Sequence, residues 1–420
     1  MITRDRQTFD EQTLPNGVRT YVYTDQSRYS IATITVPVGS ASSFGEYAAG
    51  TFHFLEHMLY NRSKAYPALN QYRKVVGLKG GTFSASTAPF YTRYVLQVPT
   101  IHFAVLWPGL FSAVFQPSFE TNDLEVERGT ISSERQRKER WFPGGSELEQ
   151  YMDTKWMRNV ALTLEQRLGS EDSLAAIDVA SLEAAHSSSY FSEGLQMLAG
   201  GSADFKPLIA SLAGLSIHGA PPARRVAQTN WVNQKYHVQP FRDVGRHVLR
   251  FGGIISEQPE PLRNRARSFI LEYLTNPTHG ALFKWLREER GWAYDLGYSN
   301  GLNSSGESLW TLRLPLGTQE QVDIVREELM ARIDTALHNT KALNDEVSRL
   351  VAMADAYWYP EIAPIVNEAF LSLENFGRIF TEQEYLERFE HFRDSTFLTN
   401  VWKEATAPEN VGSFCATPSL

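Results

Sequence analysis

His53-Phe54-Leu55-Glu56-His57 sits inside a stretch, Ala48 to Asn61, that reads as a helix. On a helix, positions i and i+4 lie a turn apart on one face, so His53 and His57 can aim both imidazoles at one ion. Glu56, at i+3 from His53, lies beside that face and can reach a water held there. Neutral nitrogen ligands, an open coordination position and a carboxylate to take a proton are the parts of a hydrolytic zinc site. A motif this short also arises by chance, and two histidines so spaced can equally be structural. A third ligand is missing from it, so the rest of the chain has to decide.

Upstream, Gly17 turns the chain into a strand at Val18–Tyr23. A second strand covers Ser30–Val38, where Ile31, Thr33 and Thr35 alternate against Ala32, Ile34 and Val36. Downstream, a helix over Ala68–Val76 ends at Gly77, Gly80-Gly81 opens strands at Thr82–Thr87 and Tyr91–Val98, and Ile101–Phe115 reads as a buried helix. Thr121, Asn122 and Asp123 offer N-caps for a long charged helix reaching Trp141, where Pro143-Gly144-Gly145 stops it. That helix carries Glu127 and Glu134, 7 residues or nearly two turns apart and therefore on one face. Glu134 lies 77 positions beyond His57.

With this spacing the chain resembles the pitrilysin family: insulin-degrading enzymes, mitochondrial processing peptidases and half-length bacterial relatives. The order H-x-x-E-H is the inverzincin form of the zinc-peptidase motif. The resemblance implies that Glu134 joins His53 and His57 as the third Zn2+ ligand, that Glu56 activates the attacking water, and that Glu127 orients a ligand or tunes the site. Val36-Pro37-Val38-Gly39-Ser40 looks like the family's second strand and following turn. Gly80-Gly81-Thr82-Phe83-Ser84-Ala85-Ser86-Thr87, with Thr92 and Tyr94, looks like the edge strand and its neighbour beside the site. An extended peptide is then expected to add to Thr82, Phe83, Ser84, Ala85 and Ser86 through main-chain hydrogen bonds. Ser84 departs from the pattern, since the family usually has Asn there.

Leu286-Arg287-Glu288-Glu289-Arg290-Gly291-Trp292-Ala293-Tyr294 resembles the family's distal substrate motif. It implies that Arg287 and Tyr294 reach the scissile peptide, with the tyrosine hydroxyl donating to the developing oxyanion. The run Arg135, Arg137, Lys138, Arg140 reads as a solvated helix face. The remaining histidines, from His102 to His391, lack ligand-like spacing.

The second half repeats the αβ theme. Strands are expected at Arg246–Phe251, Ala293–Ser299 and Ser308–Leu314, and helices at Pro261–Leu274, Gly280–Arg290, Glu320–His338 and Ala342–Tyr357. Further helices are expected at Ser146–Met157 and Ser181–Tyr190. The fold class is therefore α+β, as two related αβ domains: 1–218 bearing the zinc motif, a linker at 219–245 around Pro221-Pro222, and 246–420 bearing Arg287 and Tyr294. By the resemblance, two such domains make half of a clamshell. Because both motifs are kept, a homodimer with shared sites is the simplest assembly, a heterodimer with a related subunit the other.

Composition sets outer limits. With 40 Lys+Arg against 48 Asp+Glu, the net charge of −8 argues against a nucleic-acid partner. Cys415 stands alone, which excludes an intrachain disulfide or multi-cysteine metal site. No stretch reads as a signal peptide or membrane span, so a cytoplasmic location is expected. The reading that follows is a zinc endopeptidase acting on unstructured peptides. The rivals are a non-catalytic scaffold or partner subunit on the same fold, and an unrelated α/β binding protein with a chance motif.

Overall fold

Alternation along Tyr29–Val36 puts Ala32, Ile34 and Val36 on one side of a strand and Ile31, Thr33 and Thr35 on the other. Every residue after Tyr29 is buried, so both sides of this strand are covered. The computed structural model describes residues 8–43, 46–141, 148, 151, 164–220, 236–242, 244–255, 260–302, 308–353 and 362–419. They divide between two compact units. The first lies within 1–137, 160–226 and 355–381, the second within 138–159, 227–354 and 382–420.

The first unit is built on a six-stranded sheet of β1 (Asp10–Thr13), β2 (Arg19–Thr24), β3 (Tyr29–Val36), β4 (Thr82–Thr87), β5 (Thr92–Pro99) and β6 (Gln196–Gly201). Their order is β1-β2-β6-β3-β5-β4, which leaves β4 at an edge. One face packs on α1 (Thr51–Leu59) and α3 (Thr100–Phe115), with α2 (Gln71–Leu78) and α4 (Thr121–Trp141) completing that layer. On the other face, Tyr21, Ile31 and Leu198 meet Ile362, Val366 and Phe370 of the helix Ile362–Phe376. Gly200 permits that approach, because a Cβ there would come within 2.6 Å of Ile362 and 2.8 Å of Val366. The sequence places this late helix with residues 246–420, but its apolar stripe is buried on the first unit's sheet.

Gly39 matters for the site. A Cβ at this position would lie 2.0 Å from the Ala88 carbonyl oxygen, in the loop joining β4 to β5. Ser40 and Ala41 donate to the carbonyls of Ala88 and Pro89 at 3.0 and 2.8 Å, so the turn and the loop are locked backbone to backbone. Gly39→Ala should therefore destabilise the protein by about 1–3 kcal/mol through overpacking. Chemical denaturation of the purified variant checks this.

The second unit holds a five-stranded sheet of β7 (His237–Phe241), β8 (His247–Ile255), β9 (Gly297–Leu302), β10 (Ser308–Leu316) and β11 (Val411–Pro418), in the order β7-β11-β8-β10-β9. Helices Pro261–Thr275, Gln319–Leu337 and Ser395–Ala405 share its core, where the tilted rings of Trp310 and Trp402 pack with centroids 4.9 Å apart and Trp310 Nε1 donates to the Ala405 carbonyl. The α+β class and the pair of αβ units agree with the sequence. The helix expected at Gly280–Arg290 begins as Ala281–Phe283 and widens to π geometry over Lys284–Glu289. The next strand starts at Gly297 rather than Ala293. Ile101 and Val105 of α3, expected to be buried, are 82% and 68% exposed. The expected linker around Pro221, most of the helix at 146–157 and the break at 143–145 lie outside the described residues.

Candidate metal centre

Helix α1 buries Phe52, Phe54, Leu55, Met58 and Leu59, which turns His53 and His57 toward α4. On α4, Leu124 and Ile131 are buried in the same core. Glu127 and Glu134 follow them at helical spacing, at i+3 from each, so packing aims both acids at α1. Glu134 Oε2 lies 3.6 Å from His53 Nε2 and 3.7 Å from His57 Nε2. One ligand atom from each of the three residues lies within 4.8 Å of the others, the only such group of three among the described residues. Ligands of a tetrahedral zinc bound at about 2.0–2.1 Å are about 3.3 Å apart, so small movements would close this donor set around one ion.

Two further carboxylates complete the cluster. Glu127 Oε2 meets His57 Nδ1 at 3.0 Å, which leaves Nε2 as the nitrogen facing Glu134. Glu56 is buried beside the pair and accepts from Thr87 Oγ1 through Oε2 at 2.6 Å. Burial raises the Glu56 carboxyl above the ordinary glutamate range, against the opposing bond from Thr87. For His57, burial pulls downward, but Glu127 and Glu134 outweigh it and raise the imidazole to about 9. In the metal-free chain this charge pairing stabilises the fold fully below pH 6.5 and is lost as pH rises through about 9. The melting temperature of metal-depleted protein should fall across that window, and Glu127→Gln should flatten the fall. Zinc should bind more tightly over the same range, since the competing proton leaves.

Thr82, Phe83, Ser84, Ala85 and Ser86 lie on edge strand β4, paired with β5 on one side. Phe83 is buried against Tyr60 and Tyr72, while Thr82, Ser84 and Ser86 are exposed. Arg287 and Tyr294 belong to the second unit and are brought together there. The guanidinium lies 4.2 Å over the Tyr294 ring and Nη1 donates to the Tyr294 carbonyl. Tyr294 is 73% exposed. Cys415 is buried in β11, where burial pushes its thiol up to about 11, so it is not a nucleophile at neutral pH.

Sequence reasoning passed over Asn61, which donates through Nδ2 to Glu127 Oε1 at 3.2 Å. It also passed over Thr87 as a partner of Glu56. Asn61 stands one turn beyond His57, and that position was the available signal.

Residues 20–163 match the family model described as insulinase (peptidase family M16), and residues 211–352 match the one described as peptidase M16 inactive domain. The chain belongs to the pitrilysin family. Protease 3 of Escherichia coli (strain K12) is 30% identical over 132 residues, covering 31% of this chain and 14% of that protein. A protease from Helicobacter pylori has a TM-score of 0.78 at 16% identity, over 98% of this chain and 100% of that one. The periplasmic protease PqqL from Escherichia coli has a TM-score of 0.75 at 14% identity, over 100% of this chain and 48% of that one. This pitrilysin-family chain therefore spans about half the length of PqqL and a small part of Protease 3. Among the described residues, no helix is long and apolar enough to cross a membrane.

Proposed function

We propose that this chain is a zinc-dependent endopeptidase that cleaves unstructured peptides. The observation that carries the reading is the convergence of His53, His57 and Glu134 with Glu56 alongside. Zinc held by these three groups would supply Lewis acidity and a lower pKa for water. Glu56 takes the proton of the attacking water and delivers it to the departing amide nitrogen. Thr87 holds the carboxylate through Oε2, which fixes its orientation beside the metal ligands. Burial of Glu56 suits a residue that must both accept and return a proton.

An extended peptide adds to the outer edge of β4, where main-chain bonds give affinity with little demand on side-chain identity. Arg287 holds Tyr294, and the tyrosine hydroxyl serves the oxyanion. Because one chain keeps both motifs, the zinc group and the Arg287–Tyr294 pair are read as meeting across two copies in a homodimer. Retention of all four motif residues disfavours a scaffold role. Zinc analysis with cleavage of a mixed peptide library tests the proposal: a chain that binds zinc and cuts nothing would favour the partner-subunit reading.

A further inference from the structure

Asn61 and Arg62 stand just beyond α1, and each grips an acid on α4. Asn61 Nδ2 donates to Glu127 Oε1 at 3.2 Å, while Oε2 of the same carboxylate meets His57 Nδ1 at 3.0 Å. Arg62 forks onto Asp123 through Nε and Nη2, and its Nη1 donates to the Pro67 carbonyl at 2.9 Å. Asp123 and Glu127 are i and i+4 on one helix face. Asn61 and Asp123 are 3% and 5% exposed, so these two ends of the bonds are shielded from water.

A carboxylate pivots about its last side-chain bond unless both oxygens are engaged. With Oε1 held by Asn61, Oε2 stays at His57 Nδ1. In the neutral ring that nitrogen then carries the proton, and the lone pair falls on Nε2, the atom facing Glu134. We propose that Asn61 is a positioning residue for the metal centre, holding Glu127 so that His57 presents Nε2 to the ion. Arg62 secures the same contact by fixing the rotation of α4 one turn earlier. The inference rests on the zinc reading above.

The test titrates zinc alone into metal-depleted, full-length parent and variants, in competition with a chromophoric chelator. Asn61→Asp keeps the side-chain shape but sets a carboxylate against Glu127, so the zinc Kd should rise about 10–100-fold. Asn61→Leu removes the donor without adding charge and should shift the Kd in the same direction. If that variant does not fold, Asn61→Asp decides. Because the effect passes through Glu127, Asn61→Leu should cost little further affinity once Glu127→Ala is present. A merely structural role would lower the melting temperature and leave the zinc Kd alone. Parent-like zinc affinity in the Asn61 variants, or full additivity with Glu127→Ala, overturns the proposal. Failure of the parent itself to bind zinc overturns the metal reading, and this inference with it.

Discussion

Glu56→Gln is expected to retain about one zinc per chain and to lose about 10²–10⁴-fold of its peptide hydrolysis, the range for removing a general base. The amide has nearly the shape of the carboxylate, and its carbonyl can still accept from Thr87. His53, His57 and Glu134 are untouched, so the donor set survives while the proton acceptor is gone. Glu134→Gln should behave oppositely, with zinc binding weakened first and activity following it. Elemental analysis of the purified proteins and cleavage of an unstructured peptide library separate the two. Full turnover by Glu56→Gln would sink the mechanism, whatever its zinc content.

Mixing two inactive variants should restore activity. Glu56→Gln lacks the base, and Tyr294→Phe lacks the hydroxyl proposed for the oxyanion, a loss worth about 10²–10³-fold for one donor. In a homodimer with shared sites, a mixed dimer has one site carrying both changes and one fully intact. Random exchange of equal amounts should therefore recover about a quarter of parental activity. Arg287→Ala should substitute for Tyr294→Phe in the same mixture, because its guanidinium holds the tyrosine. No recovery despite measured subunit exchange, or an active monomer, excludes the shared site.

The candidate metal group was legible because its information is local. His53, Glu56 and His57 lie within about a turn of helix, and Glu127 and Glu134 within two, so helical geometry alone places each set on one face. What joins the two sets is less local: Leu124 and Ile131 must be buried in the same core as Phe54 and Leu55 before the acids face the imidazoles. The family resemblance supplied that step from sequence. It could not supply Asn61 or Thr87, because which amide or hydroxyl reaches a carboxylate depends on the distance between packed elements.

Strands were harder to read than the site. Gln196–Gly201 has few β-branched residues and ends in two glycines, yet it is buried throughout and lies between β2 and β3. Val411–Pro418 likewise joins the second sheet between β7 and β8, far from both in sequence. Each is a strand because a sheet already waits for it, and local propensity carries little of that instruction. The helix Ile362–Phe376 follows the same rule, since its apolar stripe says only that it packs, and Gly200 decides where.

By itself, then, the sequence determined the α+β class and the helical frame through side-chain periodicity, and it pointed to the five residues of the candidate metal group through helical spacing joined to the family resemblance. Tertiary structure alone decided which strands complete each sheet, where the late helix rests, and which neutral side chains hold Glu56 and Glu127. Those choices depend on contacts between residues tens to hundreds of positions apart, which no local spacing encodes.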